Sequence, residues 1–150
     1  MLIDVKVKVA RTVDGKTRKK GENFILDKEL FAEAELAVVE NLSADTTVED
    51  YDIQSLRLSA IKEIATQFDG DFSFIVTLKD IFLEDDGTEK PLKYKVLLWA
   101  DTPSDALNNA LQLAKQGYDM QIEGIKQVDY EYLTNTVNAA DTTESTDNGE

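Results

Sequence analysis

One structural plan is written twice along this chain. The stretch "IDVKVKVARTV" alternates apolar and polar residues at Val5, Val7 and Val9, a period of two that predicts a half-buried strand. Asp14-Gly15 follows, a dipeptide favoured in hairpin turns because glycine takes positive φ without steric cost. "ENFILD" reads as the return strand. Asp27 then caps a predicted helix, "KELFAEAELAVVENL", whose Leu30, Phe31, Ala34, Ala37, Val38 and Leu42 recur at spacings of three and four. The second half repeats the order. "DFSFIVTLKDIFL" alternates at Phe72, Phe74, Val76 and Leu78, "EDDGTEKP" holds Asp86-Gly87, and "LKYKVLLWAD" returns. "TPSDALNNALQLAKQG" reads as a helix, with Thr102 as cap, Pro103 in the first helical position, Asp105 three residues after the cap and Gly117 as the stop. The closing segments share letters too: "YDIQSLRLSAIKEI" from Tyr51 and "YDMQIEGIKQVDYEY" from Tyr118.

This pattern predicts two pseudo-symmetric β-β-α-β repeats, about 3–68 and 72–133. "SLRLSAIKEIA" alone reads as strand or helix, because its alternation slips at Ala60-Ile61; by analogy with the second copy, 53–66 is mainly strand. One such unit is too small to bury its sheet and helix well. The expectation is therefore a single small α+β domain over 1–133, built from both repeats packed together. Beyond Leu133 the pattern stops. "TNTVNAADTTESTDNGE" has no aromatic residue, no basic residue and four acids, so 134–150 is expected to be a disordered acidic tail.

Composition narrows the chemistry. The 150 residues include no Cys and no His, which removes disulfides, thiolate chemistry, the commonest general base and the commonest zinc ligand. The start of the chain is not a signal peptide, because Lys6 and Lys8 break the apolar run that such a segment needs. No stretch approaches the ~20 apolar residues of a membrane span. The expectation is a soluble, cytoplasmic protein with no membrane association. Charge is unevenly spread: residues 1–20 hold seven Lys or Arg and two Asp, a net of +5, in a chain whose formal net charge is −14.

That positive end is the first candidate site. Lys6 and Lys8 lie on the polar face of the first strand, and Arg11, Lys16, Arg18, Lys19 and Lys20 surround the turn. A strip of cations on a hairpin suits phosphate, since each contact releases counterions. The equivalent second turn, "LEDDGTEKPLK", is acidic, so the turn does not need basic residues to form. The plain alternative is a solvated hairpin whose lysines keep an edge strand soluble. Trp99 shares its predicted strand face with Lys93, Lys95 and Leu97, where a ring could stack on a base; the plain alternative for it is a core position. Metal binding and cofactors are not expected: Glu84-Asp85-Asp86 are consecutive, without the alternating spacing of a calcium loop. Gly15 and Gly21 do not make a phosphate loop, which precedes a helix. No catalytic constellation stands out, so an enzyme is not expected.

The stretches "KVKVARTVDGKTRKKGENFILD" and "EAELAVVENL", then "KYKVLLWADTPSDALNNAL" and "YDMQIEGIKQV", resemble a family of small proteins with a domain of unknown function. That family is found in Bacteroidetes and in their tailed phages, including crAss-like phages. The resemblance covers about 1–133 and rests on hairpin and helix patterns, with a helix opening near Glu33-Ala34-Glu35. It implies no reaction. It implies a phage replication context, and hence DNA binding, in the host cytoplasm if the chain is phage-encoded.

The leading expectation is a small phage-type protein that binds single-stranded DNA through Lys6, Lys8, Arg11, Lys16, Arg18, Lys19, Lys20 and Trp99, with an acidic tail that limits non-specific binding. The alternative is an acidic protein-interaction or adaptor module that docks on a replication protein or another basic partner, mimics DNA or forms a homo-oligomer, and binds no nucleic acid.

Overall fold

A computed structural model describes residues 1–116 and 120–134, the side chain of Phe82 excepted. The fold is α+β and mostly strand, with eight strands and two helices among the described residues. In chain order these are β1 (Leu2–Val13), β2 (Lys16–Asp27), α1 (Phe31–Ala44), β3 (Val48–Leu58), β4 (Ile61–Ile64), β5 (Phe72–Leu83), β6 (Glu89–Ala100), α2 (Pro103–Gln116), β7 (Gln121–Val128) and β8 (Tyr130–Leu133). They form two compact units: Met1–Ser59 together with the segment from Tyr130, and Ala60–Asp129.

The first unit holds a four-stranded sheet in the order β3-β1-β2-β8. Its β1–β2 register runs from Leu2 opposite Asp27 to Val13 opposite Lys16, which leaves Asp14-Gly15 as a two-residue turn. Asp14 has φ 54° and Gly15 φ 76°. Positive φ at both central residues suits the right-handed twist of the flanking strands. Alternation places Ile3, Val5, Val7 and Val9 of β1 and Phe24 of β2 on the face that Ala34, Val38 and Leu42 of α1 cover. Each large apolar side chain fully buried in this way contributes about 1.5–3 kcal/mol.

The helix begins later than the sequence suggests. Its N-cap is Leu30 rather than Asp27, and the Glu33 carboxylate accepts a hydrogen bond from the Leu30 N–H at 3.1 Å. Asp27 closes β2, where its carboxylate binds the Met1 amino group at 2.9 Å. Leu30 and Phe31 are consequently exposed, and the buried stripe narrows to Ala34, Val38 and Leu42.

The second unit has the order β4-β6-β5-β7. Its hairpin joins β5 and β6 through a loop in which Gly87 N–H bonds to the Glu84 carbonyl and Glu84 N–H to the Thr88 carbonyl, both at 2.9 Å. Phe74, Val76 and Leu78 of β5 and Val96, Leu98 and Ala100 of β6 pack with Ala106, Ala110 and Leu113 of α2. That helix starts at Pro103, as its sequence punctuation predicts, and Thr102 Oγ1 accepts the Asp105 N–H at 3.1 Å. Gly117, read as its stop, lies outside the described residues.

The strand expected over 53–66 is two strands. β3 ends at Leu58, Ser59 donates its N–H to the Leu2 carbonyl at 2.9 Å, and β4 then pairs in parallel with β6. The phase slip at Ala60-Ile61 marks this change of sheet. At the other end of the chain, β8 pairs in parallel with β2, from Asn23 opposite Tyr130 to Leu26 opposite Leu133. Of the tail expected over 134–150, only Thr134 falls within the described residues.

Candidate nucleic-acid interface

The β1–β2 hairpin runs on past the residues that α1 covers. Every residue from Val13 to Gly21 is exposed, whereas Ile3 to Val9 on the helix-facing side are buried. The register sets Arg11 opposite Arg18, Val9 opposite Lys20 and Val13 opposite Lys16. Strand alternation therefore brings Arg11, Lys16, Arg18 and Lys20 to one face, where with Val9, Val13, Asp14 and Glu22 they line an open groove of about 490 Å3.

The same alternation sends the other predicted cations elsewhere. Lys19 sits opposite Ala10, and Lys6 and Lys8 share its face, away from the groove. There β3 sets Asp52 opposite Lys8 and Asp50 opposite Ala10, and a shallow pocket gathers Lys8, Lys19, Asp50 and Asp52. Acidic neighbours offset much of the positive field on that side.

Arg11 has a structural role that its letters do not announce. Its Nε donates to Glu22 Oε2 at 2.6 Å and its Nη2 to Glu22 Oε1 at 2.8 Å. Its Nη1 donates to Asp45 Oδ2 at 2.6 Å and to Thr47 Oγ1 at 2.9 Å. Asp45 Oδ1 in turn accepts the Thr47 N–H at 2.9 Å and its hydroxyl at 2.7 Å. The Arg11 hydrogen bond, followed by those from Thr47, holds the Asp45 carboxyl down at about 2. Hydrogen bonds to Glu22 and Asp45 push the Arg11 guanidinium the other way, upward. Next to it, Thr12 N–H binds the Thr47 carbonyl at 2.8 Å. The hairpin root is thus tied to the α1–β3 connection. These donors are directed inward, so Arg11 organises the groove wall, and Lys16, Arg18 and Lys20 line the groove beside it.

Trp99 belongs to the other sheet. It lies opposite Ser73 on β6, on the side of the strand away from Val96 and Leu98, and it is half-buried. Its carbonyl accepts Asn109 Nδ2 at 3.1 Å. Glu22, Asp45 and Thr47 are the residues that sequence reasoning missed. Counting alternate positions from Asp14-Gly15 places Glu22 on the Arg11 face, but no signal in the letters brings Asp45 there.

Fold and groove define a small α+β protein of two units, each with one helix on a four-stranded sheet, and with a cationic hairpin groove in the first. No helix among the described residues is long and apolar enough to cross a membrane. The chain belongs to the family described as domain of unknown function DUF4494, whose model matches residues 1–145, beyond the 133 that the resemblance was expected to cover. It matches no curated protein and no solved structure.

Proposed function

We propose that this protein binds single-stranded nucleic acid, DNA foremost, along the groove face of the β1–β2 hairpin. Lys16, Arg18 and Lys20 meet successive phosphates. The observation that carries this reading is three cations at alternate positions of one exposed strand, all on the same groove. Two residues of strand advance about 6.6 Å, close to the separation of neighbouring phosphates on an extended single strand. Phosphate contact by such a row is independent of base sequence. In this reading the two β-β-α-β segments are copies of one repeat, the acidic residues after Leu133 limit non-specific binding, and the setting is phage DNA replication.

The net charge of −14 favours a second reading, an acidic module that docks on a basic protein partner or on another copy of itself. Fluorescence anisotropy of a labelled ~30-nucleotide single strand, titrated at two salt concentrations, separates the two. The nucleic-acid reading expects micromolar or tighter binding that weakens steeply with salt. No binding at low salt, where electrostatic contact is easiest, leaves the protein-partner reading.

A further inference from the structure

A pocket of about 200 Å3 opens in the second unit, beside the apolar core that α2 covers. Leu78, Val96 and Leu113, all buried, form its floor. Polar side chains reach the same place from three directions. The β5–β6 register sets Tyr94 opposite Leu78, the parallel pairing of β4 with β6 sets Glu63 opposite Val96, and Gln116 closes α2. Met120, just before β7, completes the lining. The mouth is wet, since Glu63 and Gln116 are exposed. Among the described residues, no lysine or arginine lines it.

The polar groups here are biased toward accepting hydrogen bonds. The Tyr94 hydroxyl donates its proton to Met120 Sδ at 3.2 Å, so its oxygen has acceptor capacity to offer a guest. The Glu63 carboxylate is acceptor only. Asp80 lies two residues beyond Leu78 on the same face of β5, and adds a second negative charge nearby. Burial first, then the charges of Glu63 and Asp80, raises the Tyr94 phenol above its ordinary value, which places a negative field at that oxygen.

We propose that this pocket binds an organic ammonium carried on an aliphatic stem, with the stem over Leu78, Val96 and Leu113 and the cation between Glu63 and the Tyr94 oxygen. An ammonium is all donor, the complement of the wall it meets. A cation also gains from a tyrosine ring beside it. The pocket is smaller than the ~300–1,000 Å3 that takes drug-sized ligands, so the guest is a short alkylamine or one lysine side chain of another polypeptide. The site stands apart from the hairpin groove, and the proposal does not depend on nucleic-acid binding there.

The chain has two methionines, Met1 and Met120, so carbon-13 labelling of the methionine methyls gives one signal in the pocket and one outside it. The full chain is titrated at neutral pH with n-pentylamine, with pentan-1-ol and with a short lysine peptide blocked at both ends. Pentylamine is expected to move the Met120 signal to saturation and to leave Met1 in place. Pentan-1-ol, with the same stem and no charge, is expected to bind about tenfold more weakly. Glu63→Gln/Asp80→Asn is expected to weaken pentylamine about tenfold and to leave pentan-1-ol unchanged, which separates lost charge from lost shape. Saturation by the lysine peptide assigns the guest to a polypeptide, and saturation by pentylamine alone assigns it to a small molecule; both uphold the site. Equal movement of Met1 and Met120 reports general attraction to an acidic chain and overturns the proposal. So does a Met120 signal that stays still, or one that answers pentylamine and pentan-1-ol alike.

Discussion

Arg11 and Glu22 meet fork to fork, with two parallel hydrogen bonds of 2.6 and 2.8 Å between guanidinium and carboxylate. Bidentate pairs of this kind fix orientation as well as adding energy. Here they set the root of the hairpin, because the same guanidinium also holds Asp45.

Arg11→Ala leaves Glu22 and Asp45 without their shared donor. The three side chains retain 28, 19 and 36% of their exposure, so solvent takes up part of the loss. A destabilisation of about 1–3 kcal/mol is expected, read as a lower urea midpoint at unchanged slope. Arg11→Lys should recover little, since an ammonium cannot supply the parallel pair. Full recovery by lysine would mean that only charge matters at this position.

Acid stability should carry the signature of Asp45. Its folded pKa is about 2, below the ordinary 3.8. A depressed carboxylate contributes stability that is present above the unfolded value and lost as pH falls through the folded one. The loss therefore lies between about pH 4 and pH 2. Asp45→Asn is expected to flatten that limb of a thermal-stability profile, and an unaltered limb would remove Asp45 as its source.

The alkaline side belongs to Tyr130. Burial first, then the neighbouring Asp4, raises its phenol to about 12. Its hydroxyl donates to Asp4 Oδ2 at 3.2 Å, while Asp4 Oδ1 is buried without a hydrogen-bond partner among the described residues. A folded state that keeps its proton longer than the unfolded state loses stability as pH rises from about 10 to 12. Tyr130→Phe should remove that decline, and should lower stability at neutral pH by taking away a donor from Asp4. Ultraviolet titration of tyrosinate alongside thermal melts checks both.

Gly70→Ala should damage the second unit. A methyl group there would drive into the backbone of Ala100, at the end of β6, where no flexible side chain can give way. Overpacking of this kind costs about 1–3 kcal/mol or more, because backbone has to move. A melting temperature equal to that of the wild type would show that the 70–72 segment can shift freely.

Neighbouring hairpin cations should behave differently. Arg18 faces the groove and Lys19 faces Asp50 and Asp52. Arg18→Gln is expected to lower the salt slope of single-strand binding by about 0.7, while Lys19→Gln leaves it close to the wild-type value. Equal effects from both would mean that the ligand reads total charge rather than one face.

Local patterns were legible in the sequence, and distant partnerships were not. The turn at Asp14-Gly15, the alternation of Val5, Val7 and Val9 and the cap at Thr102 are written in adjacent letters, and the structure follows them. The start of α1 was misplaced because Asp27, a good cap by type, lies at the end of β2 and binds the Met1 amine instead. The split of β3 from β4 appeared only as a broken phase. The joining of β4 to β6 and of β8 to β2 depends on parallel pairings between distant segments, which periodicity does not encode. The groove suffered the same limit: alternation sorts the lysines by face, yet Asp45 reaches Arg11 only through the fold.

The pairing of β8 with β2 also imposes an order in time. Asn23 leaves the ribosome long before its partner Tyr130 exists, at synthesis rates of about 5–20 residues per second. During that interval one edge of β2 has no strand to receive it, and such an edge invites pairing with other chains. The nascent protein therefore keeps its first sheet unfinished until the whole of the second unit has been made, and completes its oldest part after its younger one.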